Sequence, residues 1–320
     1  YIKRLPASEY RAQGRGGKGI KAMTTREEDY VETVFTASTH DNILFFTNLG
    51  RCYRKKGYQI PEAGRTARGT NIVNIIPAES GERVSAMLHV RDMDAELYIV
   101  MVTKNGTVKR INIHTGAVAG SASVTDGGFY WSGGLMVNGY YVVGGDYGQV
   151  RVYSADLSKL VGSIKLSGGN IRSALVLHDG FVYAVTRDDG TLHKLTIGSD
   201  GSITEDSAVQ FAPYSTSTPV FSGKYAFICG ATANNWTAKG LLSIIDLSDM
   251  SVKQITKANG EELGFESKST PLVSTHDGET YVYFTLNGAK GNWPNYTSGG
   301  GVYMYKLGDA EATEVFVPGS

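Results

Sequence analysis

The chain has 320 residues with 31 Lys/Arg and 31 Asp/Glu, so it is formally neutral, and it is rich in Gly (40) and Tyr (19) but poor in Pro (8). With 41% hydrophobic residues it can fill a sizeable core, yet no apolar run is long enough to span a bilayer and no secretory leader is expected. The neutrality hides a split: residues 1–113 hold 18 Lys/Arg against 12 Asp/Glu, a net +6, and residues 114–320 hold 13 against 19, a net −6, so one part is suited to a polyanion and the other is not.

In chain order the first element is a strand that already contains Tyr1, so the chain reads as a trimmed piece. From there a hairpin recurs: an apolar strand, a turn with Gly, a second strand. It occupies residues 42–56 (NILFFTNLGRCYRKK), 96–113 (ELYIVMVTKNGTVKRINI), 139–153 (GYYVVGGDYGQVRVY), 180–197 (GFVYAVTRDDGTLHKLTI), 223–246 and 279–307. The turn glycines are Gly50, Gly106, Gly148, Gly190, Gly240 and Gly301, spaced by 56, 42, 42, 50 and 61 residues. Such a period fits a four-stranded propeller blade. Each hairpin is preceded by a short apolar strand, such as residues 34–38, 173–177 and 270–274. Each is followed by another, such as residues 71–76, 162–166 and 251–255. The first hairpin strand is almost wholly apolar, as expected of a strand covered on both faces. The second is more polar, as expected nearer the rim. No sustained helical period lies between strands, so a parallel α/β fold is excluded. The fold expected is all-β: one β-propeller of about six four-stranded blades spanning residues 1–320. Residues 1–22 are expected to form no full blade, with residues 1–6 lying against another blade's edge or closing the ring with residues 312–318.

Three His-Asp pairs, His40-Asp41, His178-Asp179 and His276-Asp277, sit just before hairpins. They fall in different blades, so they read as turn residues rather than a metal or catalytic cluster. Cys52 and Cys229 lie far apart and give neither a disulfide framework nor a metal spacing; both read as buried free thiols. No catalytic residue, metal site or cofactor is expected.

Residues 1–113 resemble the C-terminal, DNA-wrapping β-propeller domain of the bacterial DNA gyrase A subunit. The residues that carry the resemblance are 1–10 (YIKRLPASEY), 11–20 (RAQGRGGKGI), 39–46 (THDNILFF), 50–58 (GRCYRKKGY), 60–74 (IPEAGRTARGTNIVN) and 101–110 (MVTKNGTVKR). The family's wrapping motif, a Gln-Arg-Arg-Gly-Gly-Lys-Gly loop, reads here Gln13-Gly14-Arg15-Gly16-Gly17-Lys18-Gly19, with Gly14 in place of the first Arg. The resemblance implies DNA-phosphate contacts from Gln13, Arg15 and Lys18, joined by Lys3, Arg4, Arg51, Arg54, Lys55, Lys56, Arg65, Arg68, Lys109 and Arg110. Glycines let the backbone approach a phosphate closely, and the cations supply the charge. Arg51 and Lys55 fall on one strand face and Arg54 and Lys56 on the other, as on an outer, solvated strand.

From about His114 the chain resembles propellers of the quinoprotein-like (PQQ-repeat) superfamily. Residues 144–157 (GGDYGQVRVYSADL) and 188–197 (DDGTLHKLTI) carry that likeness, which is to the blade pattern alone. No group of acids and aromatics fit for the quinone cofactor is legible, so the enzyme reading is rejected. The last two hairpin loops are long and hold Asn235-Trp236 and Asn292-Trp293, the latter followed by Pro294 and Tyr296. Trp236, Trp293 and Tyr296 either bind a sugar or peptide on one rim or pack on each other as a plug.

The sequence therefore reads as a non-catalytic, monomeric propeller, an engineered or fused chimera of about two gyrase-like blades and about four quinoprotein-like ones. It is expected to bind duplex DNA weakly through phosphates, without sequence preference, and to have no membrane partner. An extracellular binding propeller using the Trp loops, and a scaffold with no native activity, are the alternatives. The first resemblance implies a cytoplasmic protein and the second an exported one.

Overall fold

The computed structural model describes residues 1–9, 31, 33–49, 51–91, 96–288 and 300–316. It divides into two compact units, Tyr1–Leu97 and Tyr98–Ser320. The division falls ahead of the seam expected near residue 114, so the second hairpin belongs to the second unit.

In the first unit β1 (Asn42–Thr47), β2 (Cys52–Lys56) and β3 (Val84–Val90) form an antiparallel sheet of order β2-β1-β3. All six residues of β1 are buried, because a central strand covered on both faces needs apolar side chains on both. The core of this unit is Ile43, Phe45, Ile60, Ile75 and Ile76. Two sequence expectations fail here. Residues 33–38 form no strand, and residues 71–76 hold a short 3-10 helix, Ile72–Asn74, capped by the Asn71 side chain. The strand that completes the sheet is β3, some 40 residues downstream of β1, and its pairing displaces the simple meander. Tyr1 to Pro6 contribute isolated bridges only, Ile2 to Thr70 and Arg4 to Glu62.

The second unit opens with β4 (Tyr98–Val102), β5 (Thr107–Asn112) and β6 (Val118–Ser123), a three-stranded sheet. Three four-stranded meanders follow: β7 (Gly134–Val137), β8 (Tyr140–Gly144), β9 (Gln149–Ser154) and β10 (Leu160–Lys165); β11 (Val176–His178), β12 (Phe181–Thr186), β13 (Thr191–Ile197) and β14 (Ile203–Gln210); β15 (Val220–Ser222), β16 (Tyr225–Ala231), β17 (Gly240–Asp246) and β18 (Ser251–Ile255). A two-residue pair, β19 (Lys257–Ala258) and β20 (Glu261–Glu262), precedes the last meander, β21 (Leu272–His276), β22 (Glu279–Leu286), β23 (Gly301–Lys306) and β24 (Thr313–Phe316).

Alternation along the strands explains how these sheets pack. In β12, Val182 and Ala184 join a core shared with β8 and β9, while Tyr183 and Val185 join one shared with β16 and β17. In β16, Ala226 and Ile228 face back and Phe227 and Cys229 face forward to β22. A period of two thus gives each strand two apolar faces, one for each neighbouring sheet. First strands of consecutive sheets lie side by side, β7 by β11 and β15 by β21, with a parallel bridge from Gly133 to Ala174. This all-β blade packing is the expected β-propeller class.

The described strands correct three details. The second hairpin strands β9, β13 and β17 are largely buried rather than rim-like, because neighbouring sheets cover them. Gly240 and Gly301 begin strands instead of making turns, while Gly106, Gly148 and Gly190 do have positive φ. Asp179 and Asp277 adopt left-handed φ beside Gly180 and Gly278, the turn chemistry expected of the His-Asp pairs. Cys229 is buried, but Cys52 is exposed, because β2 is an edge strand.

Candidate nucleic-acid interface

The ten described cations of the sequence expectation separate into two groups. One group is used up inside the fold. The Lys3 ammonium donates to the carbonyls of Gly64 (3.0 Å), Arg65 (2.7 Å) and Ala67 (2.8 Å), and burial holds its pKa below the usual lysine value. Arg4 pairs with Glu62 at 2.7 Å and donates to the Ile60 carbonyl. Arg51 reaches Glu79 at 2.7 Å and Glu82 at 3.6 Å, and the bond to Glu79 raises its pKa further. Glu82 is itself buried. It accepts from the Thr47 hydroxyl (2.6 Å), the Glu79 amide (2.8 Å) and the Tyr53 hydroxyl (3.1 Å), and the Thr47 bond leads in lowering its pKa. Lys56 donates to the His40 carbonyl at 3.0 Å. Arg68 lies 3.5 Å over the Tyr1 ring, and Arg110 of the second unit lies 3.5 Å over the Tyr98 ring.

The other group is Arg54, Lys55 and Arg65 in the first unit and Lys109 in the second. None of these side chains has an ion pair or hydrogen bond among the described residues. Arg54 stands opposite the buried Leu44, and Lys55 opposite the buried Ile43, so the strand pairing fixes their backbone while their heads stay solvated. Arg65 is exposed on the loop that Lys3 holds. Arg83 joins them: it is exposed, its backbone is tied to Asn48, and its side chain is unpaired among the described residues. Sequence reasoning passed over it because it lies outside the quoted phrases. Gln13, Arg15 and Lys18 lie outside the described residues.

In the second unit, Trp236 is half-buried in a loop closed by the Asn235 side chain, which accepts from the Thr237 amide and hydroxyl, both at 3.0 Å. Trp293 and Tyr296 lie outside the described residues. An exposed aromatic pair among the described residues is Tyr130–Trp131, stacked at 4.7 Å, which the loop-length argument missed. Unforeseen too is fully buried His193, bonded to Glu205 at 2.6 Å and to Thr186 at 2.9 Å. Among the described residues no three His, Cys, Asp or Glu gather where they could hold a metal ion. No described helix is long and apolar enough to cross a membrane.

Residues 1–38, 41–91 and 97–115 match a family model described as DNA gyrase C-terminal domain, beta-propeller. The DNA gyrase A protein of Clostridium acetobutylicum is 54% identical over 110 residues, which is 34% of this chain and 13% of that protein. That of Staphylococcus epidermidis is 51% identical over 114 residues, 35% of this chain and 13% of that protein. This part of the chain is similar to the gyrase domain. The chain thus spans about an eighth of the length of these relatives, and the match ends after β5. Among solved structures, BamB from Moraxella catarrhalis aligns over 72% of this chain and 67% of its own, with a TM-score of 0.48 and 14% identity. The computationally designed Ika8 protein aligns over 67% and 57%, with a TM-score of 0.44 and 18% identity.

Proposed function

We propose that the chain is a DNA-binding propeller whose contacts are made by its gyrase-like residues 1–115, through phosphates and without base reading. The observation that carries this is the match of those residues to a DNA gyrase domain, on a surface that keeps Arg54, Lys55, Arg65 and Arg83 unpaired among the described residues. Unpaired, solvated cations can neutralise phosphate and release counterions; paired ones must first give up a partner. The altered motif Gln13, Arg15 and Lys18, and Lys109 with Arg110 on β5, belong to the same reading. Binding is weak because the gyrase-like part is a third of the chain and the remainder carries net negative charge. Within this reading the chain is a fusion of two propeller lineages, and it has no catalytic role because the match covers the C-terminal domain only.

Fluorescence anisotropy with duplexes of two unrelated sequences, over a salt series, tests the reading. Both duplexes bind equally, and affinity falls with salt by about one power per phosphate neutralised. The triple variant Arg54→Ala, Lys55→Ala, Arg65→Ala binds more weakly, with a slope smaller by about three. Strong discrimination between the duplexes, or no binding at low salt, overturns it.

A further inference from the structure

Three loops meet at one end of the β7–β10 sheet: residues 124–133 before β7, residues 145–148 between β8 and β9, and residues 166–175 after β10. Hydrogen bonds tie them together. The Asp146 amide donates to the Gly128 carbonyl, and the Asp146 carboxylate accepts from the Gly128 amide, both at 2.9 Å. Ile171 donates to the Gly145 carbonyl at 3.1 Å, and the Tyr147 amide donates to the Asn170 side chain at 3.0 Å. Gly128 is required here, because a Cβ would collide with the Lys104 carbonyl. Buried Phe129 anchors the first loop in the core shared with Val108 and Val143.

This frame carries a set of stacked side chains. Arg172, its side chain only 9% exposed, is ion-paired to Asp146 at 2.5 Å and lies 5.4 Å over the Tyr130 ring. The Trp131 indole stacks on Tyr130 with ring centroids 4.7 Å apart and planes 29° apart. Tyr130 covers part of one face of the indole, yet Trp131 is 68% exposed, so its other face is open to solvent. Trp131 also has φ +59°, and exposed Tyr147 on the adjoining loop has φ +58°. Side chains other than glycine enter this left-handed region at a cost, and strain of this kind collects at functional sites. An indole held out in water on a strained residue adds little to stability; it is the disposition expected of a contact surface.

The chemistry around the indole selects its occupant. An aromatic face is electron-rich and attracts the C–H face of a pyranose ring. The Trp131 indole N–H and the Tyr130 and Tyr147 hydroxyls have no hydrogen-bond partner among the described residues. Asp126 adjoins Gly127, against which the Tyr147 ring rests, and spends one carboxylate oxygen on Arg151 at 2.6 Å while the other stays free among the described residues. Donors and an acceptor together suit hydroxyl groups, whereas a proline-rich peptide brings carbonyl acceptors alone. The cation beneath the rings, Arg172, is already neutralised by Asp146, so it offers a phosphate no free charge. We infer that Trp131, backed by Tyr130, is a stacking platform for a neutral carbohydrate, with a pyranose ring lying on the indole. The inference is independent of the DNA-binding reading and uses no residue of the first unit.

The test uses the full chain, with cellohexaose, maltohexaose and mannohexaose as probes and oligothymidylate and a polyproline peptide as competing occupants. The readout is the Trp131 indole N–H resonance, assigned by its loss in Trp131→Phe. At least one hexasaccharide shifts it, with an affinity that holds across a salt series because no phosphate is neutralised. Trp131→Ala lowers that affinity at least tenfold, and Trp131→Phe, which keeps a π face, lowers it less. Trp131→Gly relieves the left-handed backbone, so it abolishes binding while its thermal unfolding midpoint stays no lower than that of the wild type. A midpoint well below the wild type's would make Trp131 a structural plug and overturn the inference. It is overturned equally if no hexasaccharide moves the indole resonance, or if Trp131→Ala binds as the wild type does. A shift with oligothymidylate or polyproline alone overturns it too, by making the platform a nucleobase or peptide site. None of these outcomes bears on duplex binding by residues 1–115.

Discussion

At the scale of single residues, the fold ties up several charged and polar side chains through partners that the sequence does not announce. Lys3 was legible as a cation, but its acceptors are backbone carbonyls some 60 residues away, and a carbonyl has no residue type to read. Arg51 is bound to Glu79 and Glu82 by the same kind of distant contact. His193 shows the problem most sharply: it sits in an ordinary strand pattern, TLHKLTI, yet is completely buried between Thr186 and Glu205. Thr186 in turn donates to Asp189 at 2.9 Å. Replacing His193 by Ala leaves the buried Thr186 hydroxyl and the Glu205 carboxylate without their shared partner and opens a void between β12 and β14. The expected cost is about 1–3 kcal/mol. Urea unfolding checks it, read as a lower midpoint with an unchanged slope. A midpoint equal to that of the wild type would show that the network contributes nothing to stability.

At the scale of elements, the hairpin repeat, the turns at Gly106, Gly148 and Gly190 and the Asp-Gly turns were legible because each follows from a local rule. Alternation gives a two-faced strand, and Asp-Gly supplies left-handed φ. The β2-β1-β3 order was not, because the pairing of β1 with β3 joins segments about 40 residues apart, and register at that range is set by packing. The turns also set a pH response. Asp156 accepts from the Ser154 hydroxyl, the Ser158 amide and the Ser158 hydroxyl, and these bonds, the first above all, hold its pKa at about 2. Asp246 is likewise held at about 2, first by Lys224 and then by Ser248. Both values lie below the unfolded value of 3.8, so the unfolded chain binds these protons first on acidification. Their stabilisation is fully present above pH 3.8 and is lost as pH falls through about 2. Thermal unfolding across that window should show a falling midpoint. The double variant Asp156→Asn, Asp246→Asn should start lower at neutral pH and fall less steeply. An identical acid slope in the variant would locate the response elsewhere.

At the scale of the whole molecule, the two units differ in how much core each supplies. Tyr98–Ser320 holds five sheets of three or four strands among its described residues, and four hydrophobic clusters lie between consecutive sheets. A fragment of residues 98–320 is therefore expected to fold by itself, with a β-type circular dichroism spectrum and one cooperative thermal transition. A fragment that binds hydrophobic dye and melts without a transition would show that its sheets need residues 1–97. The charge asymmetry read from the sequence shrinks at this boundary. Lys104, Lys109 and Arg110 pass to the second unit, leaving the first with 15 Lys/Arg against 12 Asp/Glu. The phosphate reading therefore stands on which cations are unpaired more than on net charge. One of those places has a further consequence. Among the described residues β2 is the edge of its sheet, and Arg54, Lys55 and Lys56 crowd it with positive charge. Charge on an open edge is what keeps two molecules from joining strand to strand into an aggregate. At a pI near 7.2 the chain has little net charge at neutral pH to hold copies apart, so colloidal stability depends on local guards of this kind. Stripping the cations from β2 would leave a surface that is stickier towards other copies of the chain.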